Sequence, residues 1–465
     1  MNKALFLYEL LRMRRSLATK SLLIFAIIAG FYSIWSGLAW QESNYASLIQ
    51  YEEQLQEHAA KWRADLVAIE NGESESSPYS ARPMDIQLPA VHKTGSLSHL
   101  AIGMNEILPK RIMISPRRNG MSMVEPYEYD NPMTLLFGRM DFVFFVTIIM
   151  PLLLIALNFD VIASDRARGL YKMLLSNPLT ESSIIMNRML ARSGLLLAIV
   201  MAALIYGLMV AENVSITAAT AWILLVGAYF LFWFGLIFLL VGRSKKGVSS
   251  LSKLVSFWLL FVLIIPAASN SISTYLFPQP SKLELLSDAR FATSEATKRT
   301  AELTQNFLED HPELTIGDDQ VPGYYRALFL SNSVVENNTQ PIVQAFADSM
   351  HDREDMLDVL QYLSPTTIMQ RSLIALAQTD SRSHALFMQA AGQYLDKINE
   401  TVEDQVLSRN RITVSTFDQI PMFGDIWMAT AKPKISIIGP FLFMLIFGLL
   451  LTGSSKMKLF SGSGE

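Results

Sequence analysis

Long apolar runs alternate with polar segments along this chain of 465 residues. Each run holds about 16–22 residues, enough for a helix to cross a hydrocarbon layer roughly 30 Å thick. The pattern predicts an all-α polytopic membrane protein with six transmembrane helices and two mainly helical inserts containing at most minor β structure. The predicted spans are residues 21–40, 139–158, 193–211, 218–242, 254–276 and 434–453.

Five polar or amphipathic segments flank these spans. They are a surface helix, a first insert, the loop between the second and third spans, a second insert and a short tail. In chain order they are residues 1–20, 41–138, 159–192, 277–432 and 454–465. The first segment has apolar and basic positions at helical spacing, which predicts a helix lying on the membrane surface.

Apolar spacing also indicates the form of the inserts. Helical positions from Tyr45 to Ile69 predict that the first span continues out of the membrane as one helix. In the second insert, Ser383–Leu407 is amphipathic, and Ser364-Pro365 marks a helix break. Ile412–Phe417 has a pattern that favours a strand.

Lysine and arginine residues gather near the same ends of the spans. They occur in residues 1–20, 159–192 and 242–253 and in the tail. The positive-inside rule therefore predicts cytoplasmic termini and inserts on the opposite side. The expected location is a bacterial inner (cytoplasmic) membrane, with both inserts in the periplasm of a Gram-negative cell.

Composition and the absence of known motifs exclude several kinds of partner and catalytic site. The net charge of −4 offers no basic surface, so we expect no nucleic-acid partner. The chain has no cysteine and no phosphate-loop motif, and the predicted spans have no ionisable residue in their interiors. The six histidines are scattered through the inserts and are expected at the surface, with no metal site. We therefore expect a non-catalytic chain without its own cofactor.

The loop at 159–192 carries more than membrane-flanking charge. Asp160, Asp165, Arg166 and Arg168 precede Gly169. Snorkelling and the positive-inside rule are enough to explain the arginines, but they do not explain the apolar residues that follow. Those apolar residues lie outside any predicted span, on both sides of a helix break at Asn177-Pro178. They are Leu174, Leu175, Ile184 and Ile185.

The second short helix of this loop is expected to begin with Thr180 or Ser182 as its N-cap. A short helix with an apolar face outside the bilayer favours docking onto another protein.

This loop resembles the one between the second and third spans of ABC exporter permeases of the type-2 class. In that class, an E-R-x-x-G-T-L-x-x-L-L-x-x-P motif leads into the helix that docks on the ATPase. Residues 165–178 read DRARGLYKMLLSNP, with Asp165 in place of the usual Glu and Leu170 in place of the usual Thr. Further resemblance is to a subset of these permeases that has two large outer inserts. It lies in segments 97–109, 131–141 and 363–380.

The resemblance implies the membrane subunit of an ATP-driven exporter or extractor. Its partners would be two copies of an ABC ATPase subunit that carries ATP and Mg, a second permease chain, identical or homologous, and membrane lipid. The inserts leave room for a periplasmic partner. The implied coupling residues are Asp165, Arg166, Gly169, Leu174, Leu175, Pro178, Ile184 and Ile185. The alternative is a membrane-anchored periplasmic scaffold or sensor without transport.

Overall fold

A computed structural model describes residues 3–73, 80–117, 139–170, 180–244, 246–278, 298–310, 320–430 and 437–461, and single positions between 287 and 295. Within these residues the chain is almost entirely helical, as the pattern predicts. The first helix, α1, is Lys3–Arg15, and the second, α2, is Leu17–Glu70. Ser16 separates them because its hydroxyl accepts a hydrogen bond from the backbone N–H of Thr19 and so caps α2.

The helix α2 is one continuous element of 54 residues, roughly 80 Å long at 1.5 Å per residue. This confirms the prediction that the first predicted span and the start of the first insert form one helix. Its far end is fixed to the second insert. Arg63 pairs with both carboxylate oxygens of Asp418, at 2.7 and 2.6 Å, and Glu70 accepts from the backbone N–H of Val414 at 2.7 Å.

Five helices in the described residues are long and apolar enough to cross a membrane. Besides α2 they are α3 (Phe142–Ala167), α4 (Glu181–Val210), α5 (Ile216–Arg243) and α6 (Gly247–Leu276). At the core of this bundle, α5 buries Trp222, Tyr229 and Trp233 completely.

The helix α4 begins at Glu181, capped by the Thr180 hydroxyl, which confirms the first of the two expected caps. The predicted boundary between residues 192 and 193 therefore falls inside a continuous helix. The expected second short helix of the loop is the first part of this span.

Two spanning helices contain a π-helical turn next to a proline. In α3 the turn is Phe145–Ile149, and Pro151 follows it after one residue. In α6 the turn is Leu260–Ile264, and Pro266 follows at the same spacing. Proline cannot donate a backbone hydrogen bond, so carbonyls in the preceding turn lose their helical partner.

In the described residues, the inserts contain two strands and, in the second insert, six α-helices. The strands β1 (Leu88–Val91) and β2 (Arg111–Ile114) pair antiparallel in the first insert. The helices of the second insert are α7 (Thr300–Asp310), α8 (Gly323–Leu360), α9 (Pro365–Leu376), α10 (Ser381–Leu407), α11 (Val414–Phe417) and α12 (Phe423–Ala429).

The predicted break at Ser364-Pro365 and the amphipathic helix over 383–407 are confirmed. The predicted strand at Ile412–Phe417 is wrong. Thr413 caps a short helix there, its hydroxyl accepting from the backbone N–H of Thr416 at 3.2 Å. A local cap satisfies the backbone where no neighbouring strand is present to pair with it.

The last helix, α13 (Ile438–Ser461), packs along α5. Only Ile438–Gly453 is apolar, which makes it shorter than the five membrane-length helices. Glycines allow the two backbones to approach closely, since a Cβ built at Gly235 would lie 2.8 Å from the carbonyl oxygen of Gly448. The predicted sixth span is thus an apolar helix bound to the bundle, and its crossing remains a prediction.

Candidate functional site

Eight charged side chains meet where α1, the end of α3 and the start of α4 come together. Four are carboxylates and four are arginines, so their formal charges balance. We call this set the charge cluster. Its members are Glu9, Arg12, Asp160, Asp165, Arg166, Glu181, Arg188 and Arg192.

The centre of the charge cluster is fully buried. Glu9 has no exposed surface, and its Oε1 lies 2.7 Å from Nη2 of Arg192, while Arg188 forms an ion pair with Asp165. Both guanidinium groups also donate to backbone carbonyls at the end of α3, Arg188 to Val161 at 2.8 Å and Arg192 to Leu157 at 2.7 Å. These bonds satisfy carbonyls that a helix end leaves without partners.

The edge of the charge cluster connects further elements. Asp160 lies 3.1 Å from Arg192, and Arg166 pairs with Glu181 at 2.5 Å. Arg166 also donates to the backbone carbonyl of Ser244, just beyond α5, at 3.1 Å. The segment that leaves α3 is therefore held to α1, α4 and α5 at once.

The structure places the expected coupling residues in three different environments. Asp165 is buried, Arg166 is half-buried and Gly169 is exposed. Gly169 adopts a left-handed conformation, with φ of +72°, at the point where the helical turn ends. The remaining residues of the loop motif, Leu174, Leu175 and Pro178, lie outside the described residues.

Ile184 and Ile185 do not form an open surface. They are 2% and 0% exposed within the single chain because the first turns of α4 pack inward. These two side chains therefore offer no exposed surface for the contact that the sequence predicted. A continuous exposed stretch of the described loop is Ala167–Leu170, which directly follows Asp165 and Arg166 of the charge cluster.

Sequence reasoning missed the contribution of α1. Glu9 is the only acidic residue in Lys3–Arg15, and it faces Arg188 and Arg192, which are spaced to share one side of α4. The sequence did contain a signal for this contact, namely a single acidic residue in a basic segment and two arginines spaced four residues apart on another helix. The opposite face of α1 leaves Leu7, Tyr8 and Leu11 exposed, each by more than half.

All six histidines were expected at the surface, but His99 has no exposed surface, and His92 and His384 lie against one phenylalanine ring. His92 is 3% exposed and stacks on Phe387 with ring centroids 5.2 Å apart. His384, from the second insert, lies 6.0 Å from the same ring. Burial lowers the pKa of both His92 and His384 from 6.5 to about 4, and their mutual repulsion further lowers the pKa of His92.

These histidines predict that acid destabilises the contact between the inserts. The unfolded chain takes up protons on them below about pH 6.5, whereas the folded chain does so only near pH 4. The unfolded state therefore binds more protons in this window, and stability falls as pH drops through it, by up to about 3 kcal/mol per histidine.

Denaturant unfolding at pH 7 and pH 4.5 measures this effect, with His92→Phe as the matched variant. The difference between wild type and variant removes the contributions of other titrating groups. Equal pH dependence in the two proteins would contradict the prediction.

The apolar helices of membrane-spanning length, together with mainly helical inserts, define an all-α membrane-embedded protein. Residues 282–424 match a family described as a domain of unknown function (DUF3526). The match covers 143 of the 465 residues and lies within the second insert. No curated protein and no solved structure matches the chain.

Proposed function

We propose that this chain is the membrane permease subunit of an ATP-binding cassette exporter or extractor. It would cross a bacterial inner membrane six times, with both termini in the cytoplasm. A separate ATPase subunit, in two copies, would hold ATP and Mg, and a second permease chain would complete the complex. The observation that carries the proposal is the charge cluster, which connects an exposed loop to three spanning helices.

The charge cluster suits the transmission of force. A contact made on Ala167–Leu170 acts one turn away from Asp165 and Arg166. Those two residues are paired with Arg188 and Glu181 of α4. Buried and partly buried ion pairs with additional backbone hydrogen bonds resist separation, so the loop, α3 and α4 would move as one unit.

The alternative is a membrane-anchored scaffold for a periplasmic partner. One observation favours it, namely that the two inserts share a hydrophobic core that contains Ile112 of β2 and Phe387 of α10. A scaffold would require no ATPase at the loop, so a test of that contact separates the two proposals.

Changing Leu170 and Leu174 together to Asp is expected to release the ATPase. Each leucine would lose about 1.5–3 kcal/mol of burial against the partner, so the recovered ATPase should fall at least about tenfold. The measurement is co-purification of ATPase activity with the tagged chain from its native membrane.

Val248→Asp is the matched control. Val248 is 81% exposed and lies at the start of α6, beyond the loop. Ile184→Asp is unsuitable because it would place a charge in the chain's own core. If the wild-type chain purifies without an ATPase and nothing crosslinks to residues 166–179, the scaffold proposal replaces the exporter proposal.

A further inference from the structure

The carbonyls freed by the two prolines are bound by hydroxyl groups from other elements. Pro266 cannot donate to the carbonyl of Phe261, five residues earlier, which is the partner that π-helical geometry would require. Ser364, which caps α9, donates its hydroxyl to that carbonyl at 2.5 Å. Ser364 has no exposed surface, so no solvent is available to replace this bond.

A related arrangement occurs in α3, at a carbonyl one residue closer to the proline. Pro151 cannot donate to the carbonyl of Thr147, four residues earlier, which is the partner that α-helical geometry would require, and the Tyr229 hydroxyl of α5 donates to it at 2.9 Å. The hydroxyl of Thr366 lies 3.0 Å from that of Tyr229 and completes the chain of bonds. A further carbonyl of the same π-turn, that of Ile148, accepts from Nε1 of Trp258 in α6 at 3.2 Å.

Ser364 and Thr366 stand two residues apart at the start of α9, in the part of the second insert that matches the domain of unknown function. Ser364 forms a hydrogen bond with α6 directly, and Thr366 is connected to α3 through the hydroxyl of Tyr229. Both are buried, at 0% and 3% exposed. An unsatisfied carbonyl in an apolar environment is costly, so each bond favours the π-helical turn of its span over alternatives that break the bond.

We propose that the start of α9 is a positioning element that sets the bend of α3 and α6 together. Ser364 and the Thr366–Tyr229 pair supply the hydrogen bonds that Pro266 and Pro151 cannot make. A displacement of the second insert would therefore change both bends in the same step. Because α3 also ends in the charge cluster, the insert and the cluster act on one helix from its two ends.

Double-mutant cycles on the purified full-length chain test this assignment. Ser364→Ala should lower the ratio of folded to unfolded chain by at least about fivefold, because it removes the bond to Phe261 together with the cap of α9. In a Pro266→Ala background, an amide N–H is restored next to the carbonyl, so the same change should have a much smaller effect. Tyr229→Phe with Pro151→Ala forms the second matched pair, and it removes only one oxygen atom from the core.

The control combines Ser364→Ala with Pro151→Ala. Their effects on unfolding should be additive, because Ser364 and Pro151 affect different carbonyls. The capping role of Ser364 is the same in both backgrounds and cancels from the cycle. Additive effects in both matched pairs would overturn the proposal. The cycles need no ATPase, so their failure would leave the proposed function standing.

A distance measurement separates positioning from simple stabilisation. Because the chain has no cysteine, Met140→Cys and Tyr275→Cys allow spin labels near the ends of α3 and α6 that face the inserts. Tyr229→Phe should broaden or shift the measured distance, and Pro151→Ala should reverse part of that change. An unchanged distance distribution in a destabilised variant would mean that the hydroxyl only stabilises the fold.

Discussion

Glu9→Met is expected to lower the free energy of unfolding by about 3–5 kcal/mol, because it leaves buried arginines without their shared carboxylate. Glu9 has no exposed surface, and it lies 2.7 Å from Arg192 and 3.7 Å from Arg188. Water cannot reach the uncompensated guanidinium groups without opening the packing of α1 on α4. Denaturant unfolding of the purified chain in detergent measures the loss.

Two further variants show whether the loss comes from unpaired charge. Glu9→Met with Arg192→Met removes both partners and should recover much of the stability, since an apolar pair of similar volume can replace a buried ion pair. Glu400→Met removes a carboxylate that is 63% exposed and pairs with Lys397, and should have little effect. If Glu9→Met behaves like Glu400→Met, the charge cluster does not hold α1 in place.

Gly37→Ala is expected to cost at least about 3 kcal/mol, at the upper end of overpacking effects in a well-packed interior. A Cβ at Gly37 would lie 1.8 Å from the carbonyl oxygen of His99, far inside any allowed contact. The obstacle is backbone and cannot rotate away. His99 is itself buried, with its Nε2 3.0 Å from the carbonyl of Gly207 in α4, so the first insert is wedged between two helices.

Gly194→Ala is the matched control for this change. Gly194 also lies in a spanning helix, but a Cβ there would meet nothing within 4 Å. Alanine favours a helix over glycine by up to about 1 kcal/mol, so this variant should be neutral or slightly stabilised. Thermal unfolding of both variants provides the comparison, and equal midpoints would contradict the close approach at Gly37.

Periodicity predicted the helical class, the extension of the first span and the break at Ser364-Pro365, because each depends on residues close in sequence. The charge cluster was not predictable in the same way. Asp165 and Arg168 read alike as charges at a membrane exit, yet only Asp165 is buried against a distant partner. The burial of Ile184 likewise depends on how α4 packs, which local pattern does not fix.

The two prolines were also only partly interpretable from the sequence. Pro151 and Pro266 predict disturbed helices from sequence alone. Nothing near them in sequence indicates that Tyr229 and Ser364 supply the missing bonds, since those donors lie far along the chain. Such pairings are decided by tertiary packing, and only the folded arrangement reveals them.

The length of α2 has a mechanical consequence. The helix starts beside α1, near the charge cluster, and its far end is fixed to the second insert through Asp418 and Val414. A straight rod roughly 80 Å long that tilts by about 5° at its base moves its tip by about 7 Å. A small rotation at the base would thus become a large displacement at the far end. The helix would then act as a lever arm whose base adjoins α1, the helix that contributes Glu9 and Arg12 to the charge cluster.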